Sequence, residues 1–516
     1  MSARGETHPS AQDPSTEATT KRPGGQEGPG PKTATPVRES PCTDLANGQR
    51  FARQHAGKVK FVPAWRSWVV WDGHRWAMDD LKVVSELAKR TARTIYAEAA
   101  RADGEKASEA LARWAARSAS DDGVRRMLSM ASSDPRIVAR AGEFDKDAYR
   151  LNTPEGEIDL HIGAVEKNDP THLHTKATTV GPAAPGTKAP RWHAFLEEIF
   201  PDPELIAYVQ RLLGYSMLGT VREHVFMLCW GGGANGKSTL LETVAGVLGA
   251  YAGPIDPALL LAKRNDAHPV GIADLQGLRF ATAQETAQGR ALDEAMVKNL
   301  TSGGQRKARV MRGNFFTYVA SETIWLATNH LPAIRNNDVG IWRRMKLLPF
   351  LVEIPAARQD PDLTATLLQT EGPAILAWLV EGCVAYLCEG LGQAQAVTMA
   401  TATYRAESDT IGQFLEECCI VAGDASVRAN DLFEEYALWA QRAHLRVFDQ
   451  VAFAREIAER GIEKVRTKHG MVYRGVSLRV DIGGPRPAMT APRGDEDAVL
   501  ELPDATQRRG AVRRAA

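Results

Sequence analysis

The sequence predicts an α/β protein, with a mixed α+β region ahead of its core and a helix-and-ribbon region behind it. Two observations carry this. The first is the order strand, glycine-rich loop, helix in "HVFMLCW", "GGGANGK" and "STLLETVAGVLGAYA", with further β-rich runs at "LRFATAQE", "TIWLATN" and "RMKLLPF". Strands that alternate with helices in this way build a parallel sheet. The second is size: 516 residues, 44% of them hydrophobic, suffice for about three domains with ordinary cores.

Taken in order, residues 1–44 read as a disordered tail, because residues 1–40 contain no Leu, Ile, Phe, Tyr or Trp and cannot bury enough apolar surface to offset their ordering entropy. Residues 45–185 read as the α+β region. Trp65, Trp68, Trp71 and Trp76 crowd one window, and Asp72-Gly73 between β-rich runs signals a hairpin. Helical periodicity follows over 80–118, then short strands in "LNTPEGEIDLHIGAVEKND" and a Pro-rich linker at 181–190. Residues 186–395 hold the α/β core, entered by two helices split at Pro201-Asp202-Pro203 and closed by a helical stretch over 362–392. Residues 396–482 read as helix, helix and basic hairpin, the outline of a winged helix. Residues 483–516 form a second disordered tail.

Lys plus Arg and Asp plus Glu both number 63, which excludes a polybasic binder but not a local basic patch. The six cysteines (42, 229, 383, 388, 418 and 419) have no metal-ligand spacing and read as packing residues of a reducing cytosol. No signal-like apolar run opens the chain, and the apolar stretch Ala374–Cys388, broken by Glu381, reads as too short for a bilayer. The expected location is cytoplasmic, with no membrane partner.

Gly231, Gly232, Gly233, Ala234, Asn235, Gly236, Lys237 and Ser238 fit G-x-x-x-x-G-K-[ST], and Thr239 completes the candidate nucleotide set. Glycines let successive N–H groups converge on phosphates, and the following helix N-terminus adds its positive dipole end. Lys237 would reach the β- and γ-phosphates, and the Ser238 hydroxyl would hold Mg²⁺. The competing reading is a glycine turn with a solvated lysine. Glu285 ends the next β-rich run, where a carboxylate can orient Mg²⁺ and activate water. Asn329 ends another, where an amide can bond the γ-phosphate and the attacking water. Arg343 and Arg344 follow, and a guanidinium there can act as a finger on a neighbour's nucleotide.

The order GGGANGKST, Glu285, basic segment, ATNHLP, GIWRR…PF resembles superfamily three helicases. More narrowly, it resembles the helicase half of phage and plasmid helicase–primases, the group related to the poxvirus replication helicase–primase. The resemblance extends upstream through "EGEIDLHIGAVEKND" and downstream to "YRGVSL". It implies AAA+-type ATPase domains in a hexameric ring around DNA, using ATP and Mg²⁺. It makes Glu285 the Walker B carboxylate and Asn329 sensor one. It favours Arg344 over Arg343 as the finger, because Arg344 stands six residues before Phe350. Gln284 occupies a position that is acidic in many relatives, and Gly303-Gly304-Gln305 replaces an expected Gly-Asp pair.

Two basic segments are candidates for DNA contact. Lys298, Arg306, Lys307, Arg309 and Arg312 lie between Glu285 and Asn329, where the family places channel loops. Lys464, Arg466 and Lys468 lie on the expected C-terminal wing. The Trp cluster reads as core rather than a stacking platform, and Asp274 and Asp338 as solvated loop acids. The function implied is an ATP-dependent, ring-forming DNA helicase travelling 3′→5′ in replication of a phage, prophage or plasmid. The alternatives are an ATP-switched origin-binding scaffold that recruits a primase or polymerase, or a helicase–primase. No acidic primase pair or zinc set is evident in the sequence.

Overall fold

The computed structural model describes residues 40–262, 270–285, 290–309, 315–334, 339–443, 445, 447–468 and 470–479. Arg312, Asp338 and nearly all of the two expected tails lie outside them. The chain forms two units, residues 1–147 with 167–176, and residues 148–166 with 177–516.

In the first unit, Thr43 caps the helix Asp44–His55 through its hydroxyl, which accepts from Ala46 N at 3.1 Å. An antiparallel meander follows: Val59–Val62, Ser67–Trp71 and Trp76–Met78. The expected turn is present but longer than the two residues a primed turn has. Trp71 pairs with Trp76, and Asp72 Oδ1 closes the turn by accepting from His74 N and Arg75 N at 3.1 and 2.9 Å, with Gly73 at φ 117°. Trp76 is core, at 2% exposed, whereas Trp65, Trp68 and Trp71 are half-buried and pack against the cores, Trp68 on Phe51 and Phe61 and Trp65 on Phe144. The helical stretch breaks at Gly104, φ 94°, into Val83–Ala99 and Glu105–Ser118, and a further helix, Asp121–Ala131, follows. Residues 167–176 return to this unit, where Trp76 Nε1 donates to Pro170 O at 2.9 Å.

The sequence boundary 45–185 differs from this division. The ribbon Arg150–Thr153, Gly156–Asp159 and Ala164–Glu166 groups with the second unit. Long-range hydrogen bonds explain why. Asn152 N donates to Tyr251 Oη at 3.1 Å, and Arg279 spans Met217 O and Arg150 O, both at 2.8 Å.

The second unit is built on a five-stranded sheet: β1 (Phe226–Trp230), β2 (Ala252–Pro254), β3 (Phe280–Glu285), β4 (Thr323–Thr328) and β5 (Met345–Pro349). The order is β5-β1-β4-β3-β2, with every neighbouring pair parallel. Alternate residues serve two cores. Phe226, Leu228, Ile324, Leu326, Met345 and Leu347 face one, and Met227, Cys229, Trp325, Ala327 and Leu348 face the other. A parallel sheet covered on both faces reads as continuous apolar runs for this reason.

The helix Leu363–Glu389 covers one face. At 27 residues it is long and apolar enough to cross a membrane by length and composition, so the expected shortness of its apolar stretch is corrected. Glu381 does not interrupt it, because Glu381 lies on the exposed side. Leu367, Ile375, Leu379 and Cys383 are buried in the unit's core. Gly214 of the helix Pro203–Tyr215 and Gly382 let the two helices cross closely. A Cβ on Gly214 would fall 2.2 Å from Cys383 N, and one on Gly382 2.3 Å from Gln210 O.

The helix Gln395–Ser408 packs on the core sheet rather than on the region behind it, with Leu347 N donating to Thr401 Oγ1 at 3.1 Å. Behind it come helices Thr410–Cys418, Ala429–Arg442 and Gln450–Glu459, and an antiparallel sheet ordered Cys419–Arg428, Gly470–Leu478, Glu463–Thr467. Phe414, Tyr436, Trp439, Phe453 and Tyr473 form its own core.

Candidate functional site

The ends of four core strands lie level. In the sheet register Trp230 pairs with Thr328 and with Pro349, and Thr328 pairs with Glu285. The carboxyl ends of parallel strands are where α/β folds bind ligands. The glycine loop leaves β1 at this row, Glu285 is the last residue of β3, and Asn329 directly follows β4. With strands about 4.8 Å apart, the backbones of Trp230 and Glu285, two strands away from each other, are separated by about 10 Å. Three elements separated by up to about 100 residues of chain are thereby brought to one edge.

The loop 231–236 is conformationally demanding. Gly233, Ala234 and Gly236 have φ of 119°, 47° and 80°. A left-handed alanine is strained, and such strain concentrates at functional sites. Ala234 is held there by Ile354 N, which donates to its carbonyl at 2.7 Å. Gly236 starts the helix Lys237–Leu248, and a Cβ there would fall 2.5 Å from Ile199 Cγ2. A Cβ on Gly231 would fall 2.2 Å from Phe350 O, whereas one on Gly232 would meet nothing within 4 Å. The loop is therefore packed at both ends and open in the middle. It borders a cavity of about 450 Å³ lined by Gly232, Gly233, Ala234, Asn235 and Phe350–Glu353.

Lys237 is only 6% exposed. Its Nζ donates to Gly231 O at 2.7 Å and to Asn235 Oδ1 at 2.9 Å. Burial draws its ammonium below the ordinary lysine range. Burial also pushes the neighbouring Cys229 thiol up to about 12, so it is neutral and structural. Asn235 Nδ2 donates to Phe350 O at 3.2 Å, and Phe350 N donates to Trp230 O at 2.7 Å. The segment after β5 thus braces the loop, a role for Asn235, Phe350 and Ile354 with no signal in sequence spacing. Ser238 is exposed, and Thr239, Glu285 and Asn329 are half-buried.

Arg343 and Arg344 end the helix Val339–Arg344, just before β5. Met345 is level with Phe226, so the pair sits at the opposite end of the sheet from the glycine loop. Arg344 is half-buried and its Nη1 donates to Gly340 O at 2.8 Å, while Arg343 is exposed.

The basic residues divide. Lys298 is half-buried on the helix Glu294–Leu300. Arg306 is corrected as a DNA-contact candidate. It is 7% exposed, ion-paired with buried Glu322, and donates to Leu300 O. The strand Gln305–Arg309 alternates, so Arg306 and Ala308 turn inward while Lys307 and Arg309 stay exposed. It pairs with Phe315–Val319, and exposed Phe315 lies under both cations, 4.8 Å from Lys307 Nζ and 5.3 Å from Arg309 Cζ. Lys464, Arg466 and Lys468 are all exposed on the C-terminal ribbon, and Asp274 is exposed as expected.

Residues 48–201 match the family described as D5 N terminal like. The chain is also similar to proteins of large DNA viruses whose names are "Putative helicase" or "Putative primase". A protein of Acanthamoeba polyphaga mimivirus named "Putative helicase" is 24% identical over 442 residues, 76% of this chain and 46% of that protein. One of African swine fever virus named "Putative primase" is 25% identical over 295 residues, 52% and 30%. One of frog virus 3 named "Putative helicase" is 23% identical over 273 residues, 48% and 27%. The chain spans less than half the length of these relatives. Among solved structures, the apo NrS-1 C terminal region aligns with 84% of this chain and 99% of its own, at 11% identity and a TM-score of 0.48.

Proposed function

We propose that the protein is an ATP-dependent DNA helicase that assembles as an AAA+-type ring, six subunits by the resemblance, and serves replication of a phage, prophage or plasmid in the cytoplasm. The observation that carries this reading is the level row of strand ends. It sets the glycine loop, Glu285 and Asn329 on one edge, the three parts that hydrolysis of a phosphoanhydride needs.

In this reading the N–H groups of Gly232–Gly236 take the phosphates. Lys237 leaves Gly231 O and Asn235 for the β- and γ-oxygens. Ser238 and Glu285 offer a hydroxyl and a carboxylate, a hard oxygen donor set that suits Mg²⁺, which when bound neutralises charge between those oxygens. Glu285 also orients the attacking water, and Asn329 bonds it. The arginine pair lies one strand length, five residues or about 16 Å, from its own loop. It therefore serves a neighbouring subunit's nucleotide. Arg343 is the better finger, because Arg344 is already bonded within its own helix. Lys307 and Arg309 take the strand in the channel, and the C-terminal winged-helix-like region adds Lys464, Arg466 and Lys468 as phosphate contacts.

The test is ATP-driven separation of forked DNA carrying 3′ or 5′ single-stranded tails, wild type beside Lys237→Ala. Unwinding on the 3′ tail alone, lost in the variant, is expected. ATP binding without unwinding on either tail would replace this reading with the recruitment scaffold. Primer synthesis on a single-stranded template would add priming to it.

A further inference from the structure

A second cavity, of about 480 Å³, lies beside the start of β5. Its lining includes three cationic side chains, Arg343, Lys346 and Arg405, over an apolar floor of Trp342 and Val397. Arg343 ends the short helix before β5, Lys346 is the second residue of β5, and Arg405 comes from the helix Gln395–Ser408. Among the described residues none of the three makes an ion pair or a side-chain hydrogen bond. Glu223 is the carboxylate that acts on Lys346, and its Oε1 already accepts from Tyr386 Oη at 2.7 Å. Burial draws the Lys346 ammonium below the ordinary lysine range. The three cationic side chains share one lining that contains no carboxylate, which favours an anion there.

We propose that this cavity is a polyphosphate-binding site. Guanidinium forks and an ammonium together suit a di- or triphosphate, which carries several charges on closely spaced oxygens. The ligand is not the nucleotide of this chain's own glycine loop, because Met345 and Pro349 stand at opposite ends of β5. The polyphosphate comes either from a neighbouring subunit's bound nucleotide, which rests on the ring reading above, or from free solution. In the first case Lys346 and Arg405 join Arg343 in positioning the neighbour's phosphates.

Two experiments test it. Pyrophosphate is titrated calorimetrically into Lys237→Ala, and into the same protein with Arg405→Gln and with Lys346→Met added. Binding that survives Lys237→Ala and weakens at least tenfold with Arg405→Gln is expected. Arg405 is exposed, so that variant reads the charge without disturbing the core. No binding to Lys237→Ala, or an affinity that Arg405→Gln and Lys346→Met leave unchanged, overturns the proposal. Next, Arg405→Gln and Lys237→Ala proteins are mixed and ATP hydrolysis is followed. Recovery of activity that neither has alone assigns the phosphate to a neighbour, whereas no recovery with calorimetric binding intact assigns it to free polyphosphate. Wild-type protein that hydrolyses no ATP sinks the helicase reading and leaves the calorimetry to judge the cavity.

Discussion

Asn235 holds Lys237 by a 2.9 Å bond from the lysine Nζ to its Oδ1, and with its other amide atom it donates to Phe350 O at 3.2 Å. One side chain therefore ties the loop lysine to the segment that leaves β5, the strand that begins at the arginine pair. Movement of Lys237 toward a phosphate removes half of this clamp. The loop and the far end of the sheet are joined through β5, a rigid element of five residues.

Asn235→Ala removes both bonds and leaves buried partners behind. It should cost about 1–3 kcal/mol of stability, read as a lower denaturant midpoint at unchanged slope. Lys237→Ala should keep the fold and lose ATP hydrolysis. Turnover near the wild-type rate in Lys237→Ala would remove Lys237 from the mechanism.

Two loop glycines should separate. Gly236→Ala drives a Cβ to 2.5 Å from Ile199 Cγ2 at a φ of 80°, so it should lower thermal stability and abolish nucleotide binding. Gly232→Ala meets nothing within 4 Å and should melt with wild type. Equal melting temperatures for the two variants would show that the Gly236 end of the loop is not packed against Ile199.

Arg306 and its neighbours should also separate. Arg306→Leu strands the Glu322 carboxylate in the core and should cost roughly 3–5 kcal/mol, most of it restored by adding Glu322→Leu. Lys307→Ala and Arg309→Ala should change stability by less than about 0.5 kcal/mol. Each should weaken single-stranded DNA binding and lower the salt dependence by about one counterion. Unchanged salt dependence in both would remove this ribbon from the DNA path.

Alkaline pH should unfold the protein through its thiols. Burial pushes Cys229, Cys383 and Cys419 from an ordinary 9.0 up to about 12. A raised folded value means stability that is whole below about pH 9 and lost as pH climbs toward 12, since only the unfolded thiol then releases its proton. Each thiol should account for a loss on the order of 1 kcal/mol between about pH 9 and 10.5. Lys237 works in the opposite sense, because its folded value is lowered. Denaturant midpoints measured across this range, with Cys229→Val and Cys383→Val flattening the curve, check the assignment. A midpoint constant to pH 10.5 contradicts it.

The glycine loop, the strands before Glu285 and Asn329, the paired helices around Pro201 and the helix over 362–392 were all legible in the sequence. Each is local: period, turn chemistry and apolar run length suffice to place it. Register was not legible. That Trp230, Thr328, Glu285 and Pro349 stand level follows from which strands pair. Arg306 looked like its neighbours Lys307 and Arg309 because all three carry the same charge. Only strand alternation and the distant Glu322 turn it inward. The ribbon 150–166 reads in sequence as part of the first region, and only the bonds from Tyr251 and Arg279, 99 and 129 residues away, tie it to the second.

What the sequence by itself determined is the set of chemical parts and their order: a glycine-rich loop, a carboxylate, an amide, an arginine pair and two basic segments. What only the tertiary structure decided is which parts share an edge, which cations face solvent and which cavity gathers Arg343, Lys346 and Arg405. The physical reason is that propensity and turn chemistry act over a few residues, whereas burial and charge pairing depend on neighbours that only the folded chain brings together.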